Sequence, residues 1–249
     1  MTLVALLTDF GHRDSYVGEV RAAVLARAPG ATVIDVAHDL DAFDLASAAL
    51  VVERAWPALP AGASLVVVID PGVGSARRGV AARMGGRWLV GPDNGVLPIA
   101  AGEVWSLDRV PRPSRATTFD GRDVFGPAGA LLASGMDPRL LGPAVRDVVP
   151  SALPDDAPWE PRGDALYARG LVIALDRYGN AVTSLRAPAG RAVSVTSPTA
   201  FAGALRRAYA EVAPGAPLAL VGSSGRVELA RREGRAGVAV GAVVEAVAT

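Results

Sequence analysis

Two stretches without a single polar side chain, residues 3–7 (LVALL) and 65–69 (LVVVI), constrain this chain more than any other feature. Each runs into a turn that carries an aspartate, TDFG after the first and DPGVG after the second. A strand that is apolar on both faces must be covered on both faces, the signature of the strands of an α/β layer architecture. The intervening segments supply the cover. Val17, Val20, Val24 and Ala28 recur at helical spacing over 15–28, and Pro29-Gly30 stops the run. Residues 32–36 read as a strand, Asp44 as the cap of a helix reaching about residue 55, 87–90 as a strand closed by Gly91-Pro92, and 127–135 as a helix. The expected fold class is an α/β N-terminal domain, residues 1–150, with a mostly parallel sheet. Ligands of open α/β sheets sit beyond the carboxyl ends of the strands. The loops at 8–14, 70–77 and 91–95 each follow a strand and are therefore expected to share one edge and one site.

Past residue 148 the pattern changes. Residues 149–163 (VPSALPDDAPWEPRG) are rich in Pro and Asp and aperiodic, and 151–163 are read as a linker. Short strands are expected at 166–175, 192–196, 217–222, 226–231 and 237–248, with helical pattern only near 199–209. This predicts a small all-β, barrel-like C-terminal domain over 164–249.

Several chemistries are excluded by residue type. The chain has no Cys and no Lys, and only His12 and His38. Thiolate catalysis, iron–sulfur clusters, Schiff-base lysines, the P-loop lysine and His-rich metal clusters are all ruled out. The 25 basic residues, all Arg, balance 25 acidic ones without a basic block, so neither nucleic acid nor an anionic membrane is an expected partner. No apolar run approaches the roughly 18 residues of a membrane span. The opening residues lack a basic n-region, and the expected location is cytoplasmic.

Five motifs carry candidate chemistry, and each also has a plainer reading. Asp9 in TDFGHRDSY can accept two hydrogen bonds from a ribose diol; it can also support the turn, with Asp14 capping the next helix. Asp70 and Arg77 in DPGVGSARR can hold a polar reacting group, or form a simple ion pair beside a turn. Its glycines do not have G-x-G-x-x-G spacing, so no dinucleotide fingerprint is present. GPDNG, 91–95, reads best as a turn. TTFDGRDVF can present Asp120 to a pocket while Asp123 caps the next helix. DRYGN, 176–180, is a hairpin turn in which Asn180 can pair with an adenine edge and Tyr178 can stack on a base. His12 and His38 read as structural or exposed.

Taken together, LLTDFG…DSYVG, IDVAHDL, VVVIDPGVGSARR, LVGPDNGVL, TTFDGRDVFGPAGALLASG and IALDRYGNAVTSL, in this order over nearly the whole chain, resemble the SAM hydroxide adenosyltransferase family, which is related to the fluorinase and chlorinase. The resemblance implies hydrolysis of S-adenosyl-L-methionine (SAM) at C5′ to adenosine and L-methionine, without metal or other cofactor. It also implies a homotrimer whose sites lie between the N-terminal domain of one subunit and the C-terminal domain of its neighbour. Residue by residue, Asp9 matches the aspartate that holds the ribose hydroxyls, and Asp14 and Asp176 match aspartates near the methionine amino group. Phe43 and Phe119 match pocket aromatics, Asn180 the adenine-reading asparagine, and Tyr178 and Tyr209 the rings that sandwich adenine. Ser223 matches a serine near the methionine end.

For the reacting centre the resemblance implies an Asp, Arg and His set around water. Asp70 and Arg77 match the first two. The halogenases carry Tyr in place of Asp70, and a carboxylate would repel halide, so Asp70 favours water. The imidazole of the family pattern TFHGRD is replaced here by Asp120, which is expected to take the water's proton in its stead. The competing readings are a non-catalytic SAM- or adenosine-binding protein disabled by that replacement, and a SAM-dependent halogenase. A methyltransferase is set aside because TDFGHRDS lacks the Gly-rich loop it would need.

Overall fold

The computed structural model describes residues 2–99, 102–112 and 117–249. The chain divides into two compact units, Met1–Leu153 and Pro154–Thr249.

The first unit runs β1 (Leu3–Thr8), α1 (Tyr16–Arg27), β2 (Thr32–Ala37), α2 (Leu45–Ala55), β3 (Ser64–Val68), β4 (Gly79–Met84), β5 (Arg87–Pro92), β6 (Glu103–Ser106), α3 (Gly126–Ala133) and β7 (Ala144–Val145). Its seven strands lie in the order β2-β1-β3-β5-β4-β6-β7. The apolar pentapeptides became the central strands, and their side chains divide by alternation. Val4, Leu6, Val66 and Val68 pack with Val20, Val24, Ala128 and Leu132 of α1 and α3. Leu3, Ala5, Leu7, Leu65, Val67 and Ile69 pack with Ala48 and Val52 of α2 on the other face. As expected, Asp44 caps α2, its side chain accepting from the Ser47 N–H at 3.0 Å.

The mostly parallel sheet is not what forms. β2, β1, β3 and β5 pair in parallel, whereas β5–β4, β4–β6 and β6–β7 are antiparallel, so the sheet is mixed. The cause is local: β4 and β5 are joined by Gly85-Gly86, whose φ values of 54° and 75° suit a two-residue hairpin turn and reverse the chain on the spot.

The second unit contains β8 (Trp159–Arg162), β9 (Ala165–Leu175), β10 (Ala181–Arg186), β11 (Val193–Ser197), β12 (Gly203–Ala204), β13 (Pro217–Val221), β14 (Arg226–Arg231) and β15 (Val243–Ala248). They form one antiparallel sheet, β12-β11-β15-β9-β10-β14-β13, with β8 added beside β9. The sheet nearly closes, because the Arg206 N–H just past β12 donates to the Ala219 carbonyl of β13 at 2.7 Å. Strand β8 falls inside the stretch read as linker. The helical pattern read at 199–209 resolves into two single 3₁₀ turns, Thr199–Phe201 and Tyr209–Glu211, since Gly203 adopts φ 136° and breaks the run.

The contact between α3 and the sheet depends on Gly129, where an added Cβ would lie 2.4 Å from Val66 Cγ2. Gly129→Val should destabilise the protein by about 2–3 kcal/mol through overpacking, read as a lower urea midpoint; an unchanged midpoint would show that α3 can move off the sheet without penalty.

Candidate functional site

The parallel half of the sheet delivers the motif loops to one edge. The DPGVG loop leaves β3 and folds back on itself, with the Ser75 N–H donating to Gly72 O at 3.1 Å and the Val73 N–H to Asp70 O at 3.2 Å. Arg77 thereby returns onto Asp70, its Nε donating to Oδ1 at 2.8 Å and its Nη2 to Oδ2, a two-pronged pair. The same Nη2 reaches Asp120 Oδ2 at 2.5 Å. Asp120 stands at the start of a single π turn, Gly121–Phe125, that leads into α3. Such turns recur at functional positions. Its other oxygen, Oδ1, accepts from Arg112 Nη1. Phe125 lies under the centre of the cluster, its ring centroid 5.2 Å from Arg77 Cζ.

Asp70, Arg77 and Asp120 keep only 6%, 11% and 3% of their side-chain surface exposed. Burial is the largest influence on Asp70 and lifts its carboxyl above the ordinary value; the field of Asp120 adds to this, while Arg77 opposes it. Burial also opposes the charge on Arg77, but the bonds and fields of Asp70 and Asp120 overcome it and hold the guanidinium charged.

Asp70 and Asp120 open into a cavity of about 390 Å³ that Asp9, Phe10, Tyr16, Phe43 and Phe119 also line. Phe10, Tyr16 and Phe119 form an aromatic wall, with centroids 5.2 to 5.6 Å apart. Asp9 Oδ2 accepts from the Phe43 N–H at 2.9 Å, and Phe43 is held at φ 68° with its ring largely exposed. Five expected residues, Asp9, Phe43, Asp70, Phe119 and Asp120, therefore line one cavity. Asp14 is exposed and is not among the lining residues. Nor is it the helix cap: Ser15 holds that position, its hydroxyl donating to Glu19 at 2.7 Å. Asp123 does not cap α3 either; it is buried and paired with Arg122, at 2.7 and 2.9 Å.

In the second unit Asp176, Asn180 and Tyr209 come together. Asp176 Oδ1 accepts from the N–H groups of Tyr178 and Asn180 at 2.9 and 2.8 Å, and Oδ2 accepts from Asn180 Nδ2 at 2.9 Å. Asn180 Nδ2 also lies 3.3 Å from the Tyr209 hydroxyl, which donates to Glu228 Oε2 at 3.4 Å. The Tyr178 ring is exposed, and Ser223 sits in the turn between β13 and β14.

The remaining motifs are structural. In GPDNG, Asn94 Nδ2 donates to Ile69 O at 3.0 Å, while Asp93 accepts from Arg78 and from the Val149 N–H at 2.8 Å. Arg78 also pairs with Asp147 at 2.9 Å, so the loop ties down residues 147–149. His38 is buried between Thr8 Oγ1 at 2.8 Å and Asp35 Oδ1 at 3.0 Å, and His12 is exposed. Sequence reasoning did not single out Phe10, Tyr16 or Arg112. The first two stood in the TDFGHRDSY motif as quoted; Arg112 lies in an arginine- and proline-rich stretch with no motif to mark it.

Comparison with known proteins decides the family. Residues 4–142 match the SAM hydroxide adenosyltransferase N-terminal domain and residues 170–247 the C-terminal domain. The chain belongs to the SAM hydroxide adenosyltransferase family. Among its relatives, the (R)-S-adenosyl-L-methionine hydrolase of Thermus thermophilus is 43% identical, over 97% of this chain and 96% of its own. That of Salinispora tropica is 35% identical, over 94% and 91%. Fluorinases match more distantly, at 26% identity or below. A solved structure of a conserved hypothetical protein from Thermus thermophilus superposes with a TM-score of 0.77 over the full length of both chains, at 40% identity.

Removing Arg77 would leave two buried carboxylates facing each other. Arg77→Met should cost about 3 kcal/mol of stability at pH 7. The Asp70 carboxyl, already raised by burial and then without Arg77 to oppose the rise, would titrate further above its unfolded value, so the deficit should shrink as pH falls through that folded pKa and a proton is taken up. Thermal unfolding across pH checks this; a deficit constant with pH would mean the carboxylates do not interact.

Proposed function

We propose that this protein hydrolyses SAM at C5′, releasing adenosine and L-methionine, with SAM as substrate and no cofactor. The observation that carries the reading is Asp70, buried and paired with Arg77, opening into the same cavity as Asp9, in a chain whose full-length relatives are SAM hydrolases.

Sulfonium is a good leaving group, so the reaction needs a nucleophile in line behind C5′ more than it needs acid help. The site's work is positioning and exclusion of bulk water. The O–C5′ bond forms as the C5′–S bond breaks; the electron pair neutralises the sulfonium, and the oxygen loses one proton. Asp70 and Asp120 are the acceptors for that proton. Burial lifts the Asp70 carboxyl toward the working range of a general base. Each carboxylate oxygen bonded to Arg77 keeps a second lone pair for a water. Arg77 holds the two carboxylates in place, and its charge is already met by them, which leaves little attraction for a halide.

In the same reading Asp9 accepts from the ribose hydroxyls, Phe43 and Phe119 flank the ligand, and Asp14 and Asp176 attend the methionine amino group. Asn180 reads the adenine edge, Tyr178 and Tyr209 stack on the base, and Ser223 lies at the methionine end. The exposed Tyr178 ring supports a stacking surface that a base would cover. We further propose a homotrimer with its sites shared between subunits, and a cytoplasmic setting; no described helix is long and apolar enough to cross a membrane.

Incubation with SAM in chloride buffer, followed by LC–MS, tests the reaction. Adenosine and methionine should form, and Asp70→Ala should lower turnover by about 10²-fold or more. A 5′-chloro-5′-deoxyadenosine product would make the protein a halogenase. SAM or adenosine binding without product would make it a binding protein.

A further inference from the structure

The resemblance read from the sequence implies an imidazole where this chain has Asp120, and the exchange carries an electrostatic consequence. A neutral imidazole beside Asp70 and Arg77 leaves the cluster near zero net charge. A carboxylate there adds a second buried anion, 3% exposed, beside one guanidinium shared by both acids. Uncompensated, two such anions repel and their ionised forms are disfavoured. The structure supplies a second cation at that spot: Arg112 Nη1 bonds Asp120 Oδ1, the oxygen that Arg77 does not use. Two carboxylates are thus matched by two guanidiniums, and both oxygens of Asp120 are fixed. Arg112 is itself 41% exposed and is not among the residues lining the cavity.

We propose that Arg112 is a positioning residue that takes over, together with Asp120, the place of the single imidazole: the carboxylate works at position 120 only because Arg112 holds and neutralises it. This rests on the hydrolase reading above. It makes Arg112 dispensable wherever residue 120 carries no negative charge. With histidine at 120 the guanidinium has no anion to hold and disfavours the imidazolium form.

The test is a double-mutant cycle on purified full-length protein, with adenosine release as the readout. Arg112→Ala should lower kcat by about tenfold with KM for SAM little changed, a coupling in the ordinary range for residues in contact. Arg112→Lys, which keeps the charge and loses the fork, should restore part of it. In an Asp120→His background the Arg112→Ala loss should fall below about threefold. If Asp120→His does not turn over, Asp120→Asn serves instead, where adding Arg112→Ala should cost nothing further beyond that limit. Thermal unfolding of each variant separates loss of fold from loss of function. Equal Arg112→Ala losses in the wild-type and the Asp120→His or Asp120→Asn backgrounds would overturn the proposal, as would a loss expressed in KM, which would place Arg112 on the substrate. A wild-type protein that makes no adenosine would instead sink the hydrolase reading, and this inference with it.

Discussion

The site depends on one guanidinium. Arg77 donates two bonds to Asp70 and one to Asp120, and all three side chains are nearly buried. Without that fork two buried carboxylates would face each other across the cavity wall, and a buried charge left unpaired costs far more than an exposed pair contributes. The fork also fixes geometry: it ties the loop after β3 to the π turn before α3, and both acids of the cluster are aimed by it.

The rest of the first unit serves to deliver these groups. Parallel pairing of β1 with β3 brings the TDFG and DPGVG loops off neighbouring strand ends, as strand-end loops of such sheets do. Phe10, Tyr16 and Phe119 form the aromatic side of the adjoining cavity, beside its three aspartates. GPDNG contributes by anchoring: Asp93 and Arg78 hold the chain at residues 147–149, far along the sequence from the loop itself.

How much of this was legible in the sequence follows from what each segment had to bury. The apolar pentapeptides at 3–7 and 65–69 announced central strands because both of their faces are covered. β4 was missed because Gly79, three Ala or Val residues and Arg83 form a weak strand signal. β10 was missed because its buried face includes Thr183 and Ser184, which reads as polar; Thr183 Oγ1 satisfies itself inside by donating to Val227 O at 2.7 Å. With β4 unseen, the Gly85-Gly86 hairpin and the antiparallel half of the sheet were unseen too. At the site, the loops' own aspartates were legible as strand-end carboxylates. Arg112 was not, since its partnership with Asp120 is made through space across a segment without periodicity.

The proposed attack of water on C5′, in a site built from Asp70, Arg77 and Asp120, is marked by where the incoming oxygen ends up. Turnover of SAM in ¹⁸O-enriched water tests it most directly. One ¹⁸O is expected in the adenosine, on the 5′ oxygen, and none in the methionine. Labelled homoserine with methylthioadenosine left behind, or methyl transfer to water with S-adenosylhomocysteine left behind, would contradict it.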